Sequence, residues 1–177
     1  MNVLKTLRAG LDGMYLAAGM LSAASLVLLL LLVVMQMLAR WTGEVFPGAA
    51  EYAGYAMAAA SFLAFAHALN RGSHIRVSIL LNAVSPTFHR LLEIWCFAVG
   101  ALVMWTFVYF GQKFVFWSWR FNELSQGQDA TPLWIPQSFM LLGAFVLAVC
   151  LTDHLVSVCL TGRSRIISDT VEQGHAE

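Results

Sequence analysis

The stretch MYLAAGMLSAASLVLLLLLVVMQML, Met14–Leu38, runs for 25 residues without a formal charge. A helix needs about 20 apolar residues to cross the hydrocarbon core of a bilayer, so this stretch is long enough to span a membrane. It also exceeds the apolar region of a cleaved signal peptide, which has about 7 to 15 residues. We therefore expect an uncleaved first transmembrane helix.

Three further apolar stretches follow, at residues 49–69, 91–111 and 133–160. Hydrophobic residues make up 59% of the chain and charged residues only 11%, which leaves too little polar surface for a soluble domain of this size. The sequence predicts an all-α integral membrane protein. Residues 1–165 would form a single domain with four transmembrane helices, and residues 166–177 a polar tail.

The ten basic residues are distributed unevenly over the loops and tails. Seven belong to the N-terminal tail, the second loop and the C-terminal tail, and three to the first and third loops. The positive-inside rule then predicts that both termini and the second loop are cytoplasmic. Because the basic residues form no stripe or cluster, we expect no nucleic-acid partner.

The second loop carries a segment, residues 70–81, that is too short and too charged to span a membrane. Ile75, Ile79 and Leu80 can share one helical face with Val84. This pattern predicts a short amphipathic helix that lies on the cytoplasmic surface after the second span.

The second span contains a repeat of small residues. Ala56, Ala60, Ala64 and Ala68 follow one another at intervals of four and therefore share a face. Small side chains let another helix approach closely within a membrane. The sequence leaves open whether that helix belongs to this chain or to another.

Titratable residues in or near the spans are candidates for function. The carboxylates lie near span ends, where solvent or an Arg commonly satisfies them. His67 and His154 fall near the cytoplasmic ends of different helices, so two facing imidazoles could ligate a haem in an oxidoreductase anchor. No catalytic motif is present and the cysteines lack metal-site spacing, so outside this alternative we expect neither catalysis nor a cofactor. The titratable candidates in or near the spans are Glu51, His67, Glu93, Asp153 and His154.

The order of these parts resembles the small membrane subunit, called DctQ-like, of tripartite ATP-independent periplasmic (TRAP) transporters. Besides the four-helix layout, three segments carry the resemblance. They are Glu51-Tyr52, Arg71-Gly72-Ser73-His74-Ile75-Arg76-Val77 and Thr131-Pro132-Leu133-Trp134-Ile135-Pro136. One position departs from the family pattern, because Ser78 stands where an Asp usually follows the valine.

The resemblance implies a non-catalytic scaffold in a prokaryotic cytoplasmic (inner) membrane. It would bind a large multi-spanning permease that carries the sodium sites, while a periplasmic solute-binding protein delivers a carboxylate-bearing solute such as a C4-dicarboxylate. We expect charges on the outward loops to help dock the binding protein, and basic residues after the second helix to contact the permease and membrane lipid. The candidates for docking are Arg40, Glu44, Lys113, Arg120, Glu123 and Asp129, and those for anchoring are Arg71, His74 and Arg76.

Overall fold

The structure, a computed structural model, describes residues 2–44, 46–71 and 86–161. These residues form four α-helices: α1 (Asn2–Thr42), α2 (Ala49–Asn70), α3 (Pro86–Arg120) and α4 (Trp134–Thr161). All four are long and apolar enough to cross a membrane, which confirms the prediction of an all-α protein with four helices able to span it. The predicted amphipathic helix, Ser78 and the C-terminal tail lie outside the described residues.

Two of the helices are longer than the apolar stretches that predicted them. At 1.5 Å per residue, the 41 residues of α1 extend about 61 Å and the 35 residues of α3 about 52 Å. The hydrocarbon core of a bilayer is only about 30 Å thick. Charged residues such as Asp12 and Lys113 limit an apolar stretch, but they do not end a helix, so both helices continue past the predicted spans.

The ends of α1 and α3 have the same backbone arrangement. After α1, the N–H of Glu44 donates to the carbonyl of Ala39 at 2.9 Å, and the intervening Gly43 has a left-handed backbone with φ 79°. Asn122, with φ 54°, holds the equivalent place after α3. This Schellman arrangement favours Gly or Asn at the left-handed position, which explains why each helix stops where it does.

The helices lie in a row in the order α1, α2, α4, α3. α1 packs along α2, α2 along α4, and α4 along α3, whereas α1 touches α4 only slightly. The two edges of the row, α1 and α3, expose most of their large apolar side chains. α2 and α4 therefore form the centre of the row.

Two polar contacts show which helix ends lie together at one end of the row. Arg8 forms an ion pair with Asp153 of α4 at 3.7 Å, and the Arg90 guanidinium of α3 donates to the carbonyl of Cys159 at 2.9 Å. The starts of α1 and α3 thus lie beside the end of α4. We name this the terminal end and the opposite end, which carries the α1–α2 and α3–α4 connections, the loop end. Which side of the membrane each end faces stays a prediction.

Small residues let α2 contact both of its neighbours closely. On the α1 side, the buried Ser22 hydroxyl donates to the carbonyl of Ala60 at 2.7 Å. On the α4 side, a Cβ added at Gly143 would lie only 2.5 Å from the carbonyl carbon of Phe62. The backbones of α2 and α4 can therefore approach this closely only because residue 143 is glycine.

We name the contact between α2 and α4 the seam, with Phe62, Leu63 and Ala66 on one side and Gly143 and Cys150 on the other. Leu63 is 2% exposed, and Ala66 and Cys150 are fully buried. The Cys150 thiol lies 3.7 Å from the carbonyl of Ala66. In this part of the chain, helix contact depends on shape and small side chains rather than on charge.

The predicted alanine face is only partly buried in the structure. Ala56 and Ala60 are buried, whereas Ala64 and Ala68 are half-buried. A repeat of four residues rotates by about 40° per step around a helix of 3.6 residues per turn, so its later members turn away from the packed stripe. Ala66, outside the repeat, is completely buried there. A contact of this face with another chain stays a prediction.

Candidate functional site

At the loop end, the first turns of α2 hold the loop that connects α3 to α4. The Glu51 carboxylate accepts hydrogen bonds from the Ser125 hydroxyl at 2.9 Å and from the backbone N–H of Gln128 at 3.0 Å. The Tyr55 hydroxyl donates to the same Ser125 oxygen at 3.0 Å. Glu51 and Tyr55 lie one turn apart on one face of α2, so a single helical face holds the loop.

A second carboxylate completes this arrangement from the loop. The Tyr52 hydroxyl donates to Asp129 at 2.7 Å, and Asp129 covers Gly48, the residue that precedes α2. We name the contacts between residues 51–55 of α2 and residues 125–129 of the loop the clasp. Carboxylates at the start of α2 also interact favourably with the positive end of its helix dipole.

The clasp requires a glycine in the loop. A Cβ added at Gly127 would overlap the carboxylate of Glu51, so an alanine side chain fits only if that carboxylate moves away from the loop. The Gly127 N–H also donates to the Ser125 hydroxyl at 3.3 Å. The loop backbone therefore lies directly on Glu51.

The same loop is fastened to α3 and to itself. Ser118, 1% exposed, donates to the Glu123 carboxylate at 2.6 Å. The N–H of Ser125 donates to the carbonyl of Thr131 at 2.8 Å, and the N–H of Leu133 to that of Glu123 at 3.0 Å. These bonds close residues 123–133 into a narrow hairpin.

The chemistry of the clasp is hydrogen bonding. Its two carboxylates, Glu51 and Asp129, accept from hydroxyl and amide donors. Beside it, a cleft of about 530 Å³ opens between the end of α1 and the loop, and Gln36 and Gln126 are among its lining residues. Within residues 2–44, 46–71 and 86–161, no three His, Cys, Asp or Glu side chains are grouped to hold a metal ion. The arrangement presents a shaped polar surface.

All six candidate docking residues are exposed at or near the loop end. Three are held by neighbours: Asp129 and Glu123 as described, and Lys113, whose ammonium donates to the Tyr109 hydroxyl at 2.8 Å. A role for them in docking stays a prediction. The other three side chains make no hydrogen bond or ion pair with a described residue, and they are Arg40, Glu44 and Arg120.

Of the candidate anchoring residues, only Arg71 is described. It is exposed immediately after α2, and its backbone N–H donates to the carbonyl of His67 at 3.0 Å. His74 and Arg76 lie outside the described residues. Their contact with permease or lipid stays a prediction.

The two histidines considered for a haem contact different helices. His67 packs on α1, where a Cβ added at Gly19 would lie 2.8 Å from its Cγ. His154 is 2% exposed and stacks on Phe97 of α3, with ring centroids 5.7 Å apart. Because haem ligation needs both imidazoles on one iron, these separate packing environments give the haem alternative no support.

The three carboxylates considered from the sequence have three environments. Asp153 pairs with an arginine, as expected of a carboxylate near a span end. Glu51 instead accepts from a hydroxyl and a backbone amide of the distant loop, and the sequence did not predict this partnership. Glu93 is buried, 7% exposed, one turn from Phe97 on the side of α3 that faces α4.

Comparison with known families agrees with this architecture. The family described as "Tripartite ATP-independent periplasmic transporters, DctQ component" matches residues 29–160, which include the last third of α1, all of α2 and α3, the loop that α2 holds, and nearly all of α4. Comparison with curated proteins gives no match. The match covers well over half of the sequence and confirms the resemblance noted from its motifs. The chain belongs to the family of DctQ components of tripartite ATP-independent periplasmic transporters.

Proposed function

We propose that the chain is the non-catalytic small permease subunit of a sodium-coupled TRAP transporter. Membership of the DctQ family makes it a component of a TRAP transporter, and the sodium coupling belongs to the proposal. In this proposal it scaffolds the large multi-spanning permease in a prokaryotic inner membrane and helps to dock the periplasmic solute-binding protein. The permease would hold the sodium ions and a carboxylate-bearing solute, for example a C4-dicarboxylate.

The row of helices is the observation that carries the scaffold role. A membrane pathway for a polar solute needs helices that surround it, with polar groups at the bilayer midplane. The described helices instead lie side by side, and α1 and α3 are at opposite edges. Such a row extends the wall of a larger protein but does not enclose a route of its own.

The exposed apolar side chains of α1 support the same role. Leu28, Leu30 and Leu31 are each more than half exposed, at 52%, 59% and 53%. In a membrane this surface meets either lipid or another helix. It supplies a broad contact area for the permease without requiring any charged group.

The clasp supports a role in docking. A loop that is already ordered loses little conformational entropy when a partner binds. Glu123 and Asp129 accept hydrogen bonds, while Arg120, close to them in sequence, is exposed and makes no side-chain hydrogen bond with a described residue. Rim charges of this kind chiefly affect the association rate and its salt dependence.

The test combines purification with transport. We expect the tagged chain to bring the large permease with it and to give a colourless sample; a haem absorption band with dehydrogenase partners would contradict the proposal. In liposomes with the permease, Gly127→Ala should raise the binding-protein concentration needed for half-maximal uptake several-fold, because the clasp opens. Gly54→Ala is the control, since a Cβ at Gly54 meets nothing within 4 Å.

The same assay separates the two parts of the proposal. If Gly127→Ala leaves uptake unchanged at limiting binding protein while the permease still co-purifies, the docking role is wrong and the scaffold role stands. If the permease does not co-purify with the natural chain, the scaffold role is wrong.

A further inference from the structure

We propose that the groove between the loop-end halves of α3 and α4 is a binding site for one phospholipid. An acyl chain would lie along the groove, and the lipid phosphate would bind the ammonium of Lys113. The groove has a volume of about 850 Å³ and walls that are mainly apolar. Its principal lining residues are Val103, Phe107, Phe110 and Phe114 of α3, and Met140 and Leu141 of α4.

The length of the groove suits an acyl chain. From Val103 to Lys113, the proposed phosphate site, it follows α3 for about 15 Å at 1.5 Å per residue. One leaflet contributes about half of the roughly 30 Å hydrocarbon core, so this part of the groove is about as long as the depth of one leaflet. An acyl chain anchored at the loop end therefore fits within it.

A cation lies in the wall of the groove, one helical turn short of its loop end. The Lys113 ammonium donates to the Tyr109 hydroxyl at 2.8 Å and lies 4.2 Å from the centre of the Tyr109 ring. An ammonium has three N–H donors, so others remain for a phosphate oxygen. A basic group at the level of the lipid headgroups complements the phosphate charge.

The side chains that line the groove favour a lipid over a permease helix. A helix packs closely where small residues allow the backbones to meet, as at Gly143 in the seam. In the groove, the one glycine, Gly111, is already covered, because a Cβ there would lie 2.9 Å from Leu141. The exposed rings of Phe110 and Phe114 keep a second backbone at a distance. A flexible acyl chain fits between such rings.

The test is native mass spectrometry of the full chain in mild detergent, with two probes. One is phosphatidylglycerol, and the other is the diacylglycerol with the same acyl chains, which lacks the phosphate. We expect one tightly bound phosphatidylglycerol per chain. Lys113→Gln should weaken its binding about fivefold, the equivalent of one basic group at a lipid surface, and leave diacylglycerol binding unchanged. Arg120→Gln is the control, because Arg120 is an exposed cation outside the groove.

A second pair of variants tests the acyl-chain site. Val103→Trp should fill the groove and weaken both probes, whereas Leu102→Trp, on the neighbouring exposed position, should weaken neither. Helix content by circular dichroism checks that each variant folds, and Met140→Phe fills the groove from α4 if Val103→Trp does not. Equal lipid binding by the natural chain, Lys113→Gln and the filled variants would overturn the proposal. So would cross-linking of Met140→Cys to the permease, rather than to a photoreactive phospholipid, in the assembled complex.

Discussion

The seam and the clasp join distant parts of the chain by different means. In the seam, between α2 and α4, backbones meet at Gly143 and the fit of small side chains decides the contact. In the clasp, at the loop end, the Glu51 carboxylate accepts from a hydroxyl and an amide 74 and 77 residues away. Close packing stabilises helices in lipid, whereas specific hydrogen bonds stabilise a loop at the water interface.

The largest effect is expected when the seam is filled. Gly143→Val places side-chain atoms where the backbone of Phe62 lies, and overpacking of this kind costs about 3 kcal/mol or more. Thermal unfolding in detergent should show a large loss of stability. Gly54→Val, at an open position of α2, controls for the lower helix propensity of valine. Equal stability of the two variants would mean that the seam is not the closest contact of the fold.

A smaller effect is expected in the clasp. Glu51→Gln keeps one acceptor oxygen but directs an NH₂ group at a donor, so it should destabilise the loop by about 1–2 kcal/mol. The change should appear as faster hydrogen exchange at the Gln128 amide, with little change in global unfolding. Glu44→Gln, an exposed carboxylate outside the clasp, is the control. A global loss of stability would show that loop and helices unfold together.

Ser22 tests how much a polar contact contributes between packed helices, because its hydroxyl donates a hydrogen bond to the carbonyl of Ala60 within the apolar layer. Hydrogen bonds between membrane helices contribute about 0.6 kcal/mol on average, so Ser22→Ala should reduce the unfolding free energy by roughly that amount. Ser61→Ala is the control, since Ser61 bonds to Met57 within its own helix at 2.9 Å. A loss above about 2 kcal/mol would mean that polar contacts rival shape even there.

The smallest effect is expected beside the clasp. Ala130 has a left-handed backbone, with φ 43°, which alanine adopts at a cost that glycine avoids. Ala130→Gly should therefore stabilise the loop by about 0.5 kcal/mol, after allowing for the greater freedom of glycine in the unfolded chain. Hydrogen exchange of residues 125–131 would measure it. Faster exchange in Ala130→Gly would contradict this. The opposite change, Gly43→Ala at φ 79°, should be destabilising.

The membrane-spanning helices were predictable from the sequence, whereas the faces by which they pack on one another were not. Runs of 20 or more apolar residues define a span by length alone, so stretches such as Met14–Leu38 were sufficient. A helix in lipid is apolar on all sides, so periodicity does not reveal the packed face. This is why the repeat from Ala56 to Ala68 indicated close packing but did not include the fully buried Ala66.

The clasp could not be predicted from the sequence for a different reason. The sequence drew attention to Glu51 and Tyr52, and the polar loop was evident, but nothing in a pattern relates Glu51 to a serine 74 positions later. The sequence did contain two signals of this contact. Tyr55 lies one turn after Glu51 on the same helix face, and Gly127 allows the loop backbone to approach closely. Their pairing depends on how the helices are ordered in the row, which only the tertiary structure gives.

The order of the row also bears on biosynthesis. Helices that are consecutive in the chain, α1 with α2 and α3 with α4, form extensive contacts, and the seam is the most extensive helix contact between the two pairs. We therefore expect the chain to enter the membrane as two helical hairpins, of which the first can close before the second leaves the ribosome. Cysteines at Ser22 and Ala60 should cross-link in nascent chains that end before α4, and failure to do so would show that the first hairpin waits for the second. In that sequence of events, the meeting of Gly143 with α2 is the last step of folding.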